Sequence, residues 1–157
     1  MKLWIIAVGN KMPAWVDMGF SEYAKRMPPK ARMQLIEIKA EKRSAGKSLN
    51  QALDAERGRI LAVLPRNCRR VVLDESGRAL STEQLAQNLA AWMQAGRDVA
   101  FIIGGADGLH EEIKNNADTR LSLSTMTLPH ALVRVVLAEQ LYRAVSLMNN
   151  HPYHRGT

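Results

Sequence analysis

Short, almost wholly apolar runs recur along this chain, and they constrain its fold more than any other feature. Lys2–Val8 ends at Gly9, and Val99–Ile103 leads directly into a glycine-rich segment. Runs of this kind are typical of strands buried on both faces of a parallel sheet. Shorter runs at residues 33–38, 70–74 and 121–123 predict further strands, the second of which ends in a turn at residues 75–78.

Segments with helical signals separate these runs. Two capping boxes, each a serine followed three residues later by a glutamine, predict helices that start at Ser48 and Ser81. The first of these helices ends before Pro65, and the second ends near Gln94 with Gly96 closing it.

Three other segments also have helical patterns. Over residues 14–27 the apolar side chains recur every three to five positions until two prolines stop the helix, and they are Trp15, Met18, Tyr23 and Met27. A short helix is predicted near residues 111–116, and a long one from Pro129 through Met148. Strands alternating with helices predict an α/β fold, a mostly parallel sheet flanked by helices, in one domain over residues 1–157.

The last predicted helix is unusually apolar. Its hydrophobic residues crowd more than one face, which favours packing against a second subunit in a homodimer over a central position in a monomer. The polar residues among them then need partners, and these are Arg134, Glu139, Gln140 and Arg143.

A formal charge of +7 makes the chain basic and favours a polyanionic partner, with RNA or DNA ahead of a membrane. Residues 39–47 form a basic stretch that predicts a mobile loop and a candidate RNA contact. No apolar run approaches the roughly 18 residues that span a bilayer, so we expect a cytoplasmic protein without a membrane segment. Cys68 is the single cysteine, which excludes an intrachain disulfide and a cysteine-based zinc site.

Three strand-end loops are the candidate ligand site, because ligands of parallel sheets bind beyond the carboxyl ends of the strands. These loops follow Leu73, Ile103 and Leu123. The glycines of residues 104–108 suit either a cofactor loop or a simple tight turn. Their spacing matches neither the dinucleotide fingerprint nor the phosphate loop.

The C-terminal tail concentrates groups that hydrogen-bond, stack or bind phosphate, which indicates an RNA-engaging or catalytic segment. His151 and His154 alone are weak evidence for a metal, and we expect none. His110 and His130 are interpreted as surface or capping residues rather than catalysts.

Several of these motifs, in this order, resemble the RlmH family, pseudouridine N3-methyltransferases of the SPOUT superfamily. The motifs are AVGNKM at residues 7–12, FIIGGADG at 101–108, LSLSTMTLPH at 121–130, VRV at 133–135, EQLYRA at 139–144 and NHPYHR at 150–155. The resemblance spans essentially the whole chain and is densest after residue 98.

The resemblance implies a SPOUT fold with a deep C-terminal trefoil knot, a homodimer, and S-adenosylmethionine as methyl donor. The implied substrate is N3 of a pseudouridine in 23S rRNA of the large subunit, on assembled ribosomes. The implied cofactor pocket consists of Leu73, Gly104, Leu123, Ser124, Thr125, Met126, Thr127 and Leu128.

We hypothesise that the tail contributes the catalytic groups. His154 or Tyr153 contacts the target base and assists its deprotonation, and Arg155 anchors a phosphate or stabilises the developing anion. Two alternatives stay open: a nonenzymatic ribosome-binding or assembly module, and a metal-dependent hydrolase using His151 and His154.

Overall fold

A computed structural model describes residues 1–44 and 46–155, apart from the side chain of His154. Ala45, within the predicted basic loop, and residues 156–157 lie outside the described part. The strands are β1 (Lys2–Val8), β2 (Arg32–Ile38), β3 (Arg69–Ala79), β4 (Val99–Ile103) and β5 (Thr119–Ser122). They form one sheet in the order β2-β1-β4-β3-β5, and each neighbouring pair is parallel. The predicted α/β fold with a parallel sheet is confirmed.

Helices cover both faces of this sheet, as predicted. They are α1 (Ala14–Ala24), α2 (Leu49–Val63), α3 (Thr82–Ala95), α4 (Glu111–Asn115) and α5 (His130–Met148), and short 3₁₀ turns occupy Pro29–Ala31 and Pro152–Arg155. One hydrophobic cluster joins α1, α3 and α5 to one face, and a second joins α2 and α4 to the other. Residues of β1 and β4 contribute to both clusters in alternation, which explains why these strands are apolar on both faces.

Both capping boxes are confirmed. The Ser48 hydroxyl accepts the Gln51 N–H at 3.2 Å, and the Gln51 side chain accepts the Ser48 N–H at 2.9 Å. The equivalent bonds between Ser81 and Gln84 measure 3.1 and 2.8 Å. These reciprocal bonds satisfy backbone donors that a helix start otherwise leaves unpaired.

The predicted C-terminal bound of α1 was wrong. The helix ends at Ala24 rather than Met27, because the chain tightens into i→i−3 hydrogen bonds before the two prolines. Its buried side chains are Val16 and Phe20, whereas Trp15 is 54% and Met18 is 72% exposed. The apolar spacing therefore indicated the helix but not the face that enters the core.

Two strands have other bounds than predicted. β3 does not end at Asp74 but continues to Ala79, because the predicted turn is an irregular, bulged segment within the strand. Leu73 before this segment and Arg78 after it both align with Leu121 of β5. β5 occupies Thr119–Ser122 rather than residues 121–123. Pairing with both halves of β3 determines its position, and a short apolar run cannot show such long-range pairing.

α5 is a core helix within the subunit. Leu137, Ala138, Leu141 and Ala144 are all fully buried against the sheet and its neighbouring helices. In the described part of the chain, no helix is long and apolar enough to cross a membrane.

The described residues of the basic loop, 39–44 and 46–47, form neither helix nor strand, and the loop is held to α2. The Glu41 N–H donates to a carboxylate oxygen of Glu56 at 2.9 Å, and the Glu41 carboxylate binds Lys47 at 2.5 Å and also Arg59. Hydrogen bonds from these two cations, that of Lys47 foremost, lower the pKa of Glu41 to about 2.

Candidate cofactor cleft

A cleft of about 830 Å³ opens where the first part of β3, β4 and β5 end. All but one of the residues that the family resemblance assigned to the cofactor lie on the walls of this cleft. They are Leu73, Gly104, Leu123, Ser124, Met126, Thr127 and Leu128. Thr125 is exposed and is not among the described lining residues. The loops after Leu73, Ile103 and Leu123, predicted as the candidate ligand site, thus meet at one cleft.

Sequence reasoning passed over several charged residues of the cleft wall. Asp74, Glu75 and Asp107 supply carboxylates, while Lys114 and His130 supply basic groups. His130 had been interpreted as a surface or capping residue, yet it stands at the start of α5 on the cleft wall. The position of Asp74 and Glu75 directly after an apolar run was the available signal.

Glycines let the loop at residues 104–108 turn back on itself beside the cleft. A Cβ at Gly104 would lie 2.7 Å from backbone atoms of Gly108, and Gly108 has a left-handed φ of +80°. An isolated bridge pairs Gly105 with Gly108. The glycines are therefore required by the tight turn itself, and that turn forms one wall of the cleft.

The bulged segment of β3 forms another wall. One carboxylate oxygen of Asp74 accepts the Ser76 N–H at 3.1 Å and the Ser76 hydroxyl at 3.0 Å. The other, Oδ2, is buried and has no hydrogen-bond partner among the described residues. The Thr127 hydroxyl donates a hydrogen bond to the Glu75 carboxylate at 3.0 Å, and this bond ties the wall to the segment after β5.

The segment after β5 owes its shape to serine hydroxyls. Ser122 donates to the Ser124 carbonyl at 2.9 Å, and the Ser124 hydroxyl accepts the Met126 N–H at 2.9 Å. Such local bonds replace regular secondary structure and leave Met126 75% exposed at the cleft. The cleft thus combines backbone polar groups with apolar side chains, a composition typical of small-molecule sites.

Arg134 anchors the start of α5 to the ends of β1 and β2. Its side chain is 1% exposed and donates to the Glu37 carboxylate at 2.7 Å and to the Gly9 carbonyl at 2.6 Å. Its Nε has no partner among the described residues. The need of Arg134 for a partner was predicted, but a partner 97 residues away gave no signal in the sequence.

The tail docks on α5, and its described side chains are not among those that line the cleft. Tyr153 packs against Tyr142 with ring centroids 4.6 Å apart, and its hydroxyl donates to Glu139 at 2.8 Å. Arg143 binds the same carboxylate at 2.9 Å and lies over the Tyr153 ring. Burial, followed by the bond to Glu139, raises the pKa of Tyr153 above its usual range, so its phenol is protonated at neutral pH.

Of the predicted catalytic residues, Tyr153 is held on α5 and is not among the described residues that line the cleft. The backbone of His154 and Arg155 continues the 3₁₀ turn Pro152–Arg155, and the His154 side chain lies outside the described part. His110 caps α4, since its Nδ1 accepts the Glu112 N–H at 3.0 Å, which confirms its predicted capping role. The described side chains contain no cluster of three or more potential metal ligands.

Residues 1–154 match the family described as "Predicted SPOUT methyltransferase". Proteins named "Ribosomal RNA large subunit methyltransferase H" from Burkholderia lata and Burkholderia multivorans are each 61% identical over 156 residues, covering 99% of this chain and 100% of theirs. This chain belongs to the RlmH family of SPOUT methyltransferases. The resemblance read from the sequence is confirmed.

A solved structure shows the same fold at much lower identity. It is titled "The structure of a probable methylase family protein from Haemophilus influenzae Rd KW20". It is 15% identical, with a TM-score of 0.54, over 96% of this chain and 68% of that one. The fold is therefore shared where little sequence identity is left.

Proposed function

We propose that this chain transfers a methyl group from S-adenosylmethionine to N3 of a pseudouridine in 23S rRNA of the large ribosomal subunit. It acts on assembled ribosomes in the cytoplasm, as one knotted SPOUT domain over residues 1–157. The observation that carries the proposal is the cleft at which three strand-end loops converge, lined by the family's cofactor positions except Thr125. The names of the Burkholderia relatives support the RNA substrate.

The cleft fits the chemistry of this cofactor. S-Adenosylmethionine carries a sulfonium, an ammonium and a carboxylate beside an adenine ring. The walls offer carboxylates from Asp74, Glu75 and Asp107, an ammonium group from Lys114 and an imidazole from His130. Leu73, Leu123 and Leu128 supply apolar surface for the adenine, and the cleft volume falls within the usual range of ligand sites.

The protein's main contributions are alignment and proton removal. The sulfonium of the bound donor activates the methyl carbon, so the chain must place the N3 atom in line with the carbon–sulfur bond and accept the N3 proton. We assign contact with the base to His154 or Tyr153, and to Arg155 either contact with a phosphate or stabilisation of the developing anion. Because the protonated Tyr153 phenol donates to Glu139, it must first lose its own proton, which the Glu139 carboxylate can take, before it can accept the N3 proton.

The proposal includes a homodimer. Trp15 and Met18, three positions apart on α1, present exposed apolar surface beside α5, which α1 contacts where Gly19 meets Val135. Exposed apolar surface of this kind marks subunit interfaces. The Met18→Asp variant should sediment as a monomer while the wild type sediments as a dimer; a wild-type monomer would contradict the dimer.

The deciding test is methyl transfer from labelled S-adenosylmethionine to ribosomes that lack the modification, with mass spectrometry of the digested RNA. Methylated pseudouridine is the expected product. No transfer to unmodified ribosomes by folded protein would reject the proposal and favour a ribosome-binding module, which calorimetry with the cofactor would then test.

The tail assignments need their own variants. His154→Ala should lower kcat while cofactor affinity stays unchanged, and Tyr153→Phe keeps the ring against Tyr142 but removes the hydroxyl. A His154→Ala variant with wild-type turnover and wild-type RNA binding would remove His154 from the mechanism. Mixed dimers of tail and cleft variants then show whether the tail acts in its own subunit or across the dimer.

A further inference from the structure

We propose that the loops after β1 and β2 form a phosphate-binding surface for the RNA substrate. We call it the basic ridge and define it as Lys11, Lys39, Lys42 and Arg43. The inference rests on the proposed function, because it takes RNA as the molecule that reaches the cleft. It adds the part of the enzyme that holds the RNA backbone next to the reacting base.

The side chains of the ridge are available to an anion. Lys11, Lys39, Lys42 and Arg43 are all exposed. Within the described part of the chain, no ion pair joins any of them to a carboxylate. Unpaired, exposed cations attract phosphates and release condensed counterions on binding.

The loop after β2 is held in shape by its own acidic residue. Glu41, the one acidic residue among residues 39–47, binds Lys47 and Arg59 and so leaves the ridge cations uncompensated. Arg59 also donates to the Lys39 carbonyl at 3.0 Å. A loop fastened in this way loses less conformational entropy when RNA binds than a loose one would.

The ridge and the cleft share one edge of the sheet. β2 lies two strands from β4, a distance of about 10 Å at the usual spacing of neighbouring strands. The Gly9 N–H donates to the Ile38 carbonyl at 2.6 Å, so the loops that follow β1 and β2 start side by side.

Arg134 makes this edge one continuous unit. It binds Glu37 and Gly9, next to the starts of the two ridge loops. Its neighbour on α5, Val133, lines the cleft. The starts of both ridge loops are therefore fastened to the helix whose first turn lines the cleft. The ridge would set the register of the RNA without reading its sequence.

The test compares two double variants, each of which removes two positive charges. One pair lies where the strands end, and the other lies where they begin. Lys42→Gln/Arg43→Gln changes the ridge, and Lys30→Gln/Arg32→Gln changes exposed residues where β2 begins. Binding to purified bacterial 70S ribosomes is measured against salt concentration. Losing two phosphate contacts should lower the salt slope by about 1.5 and the affinity in 0.1 M salt roughly twentyfold to fortyfold.

The control pair should bind ribosomes as the wild type does, and the Lys42→Arg/Arg43→Lys variant should retain binding. Equal losses in both glutamine pairs would overturn the ridge, because they would reflect net charge alone. Unchanged binding by the ridge variant would overturn it as well.

Two further readouts separate this inference from the proposed function. The ridge variant should bind S-adenosylmethionine normally and show a raised KM for ribosomes with kcat little changed. Ridge-dependent ribosome binding without any methyl transfer would keep the ridge and reject the proposed function. Methyl transfer by the ridge variant with wild-type KM would keep the function and reject the ridge.

Discussion

The edge of the sheet at which the strands begin and the edge at which they end differ in how their polar groups are paired. Where the strands begin, the Asp98 carboxylate accepts the Lys2 N–H at 2.9 Å and the Trp4 indole N–H at 3.2 Å, and Asp118 accepts the Arg70 N–H at 2.8 Å. Where the strands end, Asp74 Oδ2 and Arg134 Nε are buried without a partner among the described residues.

This difference separates stability from function. Paired carboxylates at the first edge fasten the starts of the strands. Buried polar atoms without partners reduce stability, and in native proteins they concentrate where a ligand or a mechanism requires them. Substitutions at the first edge should therefore change stability alone, while those at the second should also change cofactor binding.

The largest effect is expected at Arg134. Replacing it with methionine leaves the Gly9 carbonyl and Glu37 without their cation, so the free energy of unfolding should fall by about 3 kcal/mol. Cofactor affinity should fall too, because α5 loses its anchor beside the cleft. Urea denaturation and calorimetry measure these effects, and Arg134→Lys should be intermediate. A loss below about 1 kcal/mol would contradict the anchoring role.

Asp98→Ala should show the opposite pattern. It leaves two donors at the start of β1 without their acceptor, which should cost about 2 kcal/mol of stability. Cofactor affinity of the folded protein should be unchanged in calorimetry, and Asp98→Asn should lose less stability. Weaker cofactor binding in the alanine variant would show that the two edges are coupled.

Gly104→Ala should weaken cofactor binding with a moderate loss of stability. The added Cβ would lie 2.7 Å from the Gly108 backbone, and relieving this clash should cost about 1 to 3 kcal/mol while it deforms the cleft. The matched control is Gly58→Ala in α2, which has open space and should gain about 0.5 to 1 kcal/mol. Normal cofactor affinity in Gly104→Ala would exclude this loop from the site.

The smallest effect concerns acid stability at Glu41. Its pKa is lowered to about 2 in the folded chain, so its ion pairs stabilise the fold above pH 4.5 and lose that contribution as the pH falls from 4.5 towards 2. Glu41→Gln should therefore flatten the loss of thermal stability over this range. Identical melting curves against pH for both proteins would show that the ion pairs do not stabilise the fold.

Local signals in the sequence predicted most of the elements. The capping boxes at Ser48 and Ser81 and the apolar run of β1 each depend on neighbouring residues, and all three are confirmed. The three strand-end loops of the cleft were also predicted, because the carboxyl ends of parallel strands share one edge.

What the sequence could not show depends on contacts between distant residues. The buried face of α1 follows from its packing on α5, so Val16 enters the core while Trp15 does not. The extent of β3 depends on β5, and the partner of Arg134 lies on β2. Docking of Tyr153 on Glu139 likewise requires the folded helix, although both residues were noted separately.

The strand order has a consequence for synthesis on the ribosome. β4 lies between β1 and β3 in the sheet, although β3 precedes it in the chain. Until residues 99–103 emerge, β1 has one neighbour and β3 has none, so both present unpaired backbone edges. The nascent chain therefore passes through a long stage in which other chains could pair with it, and protection by a chaperone matters most before β4 inserts.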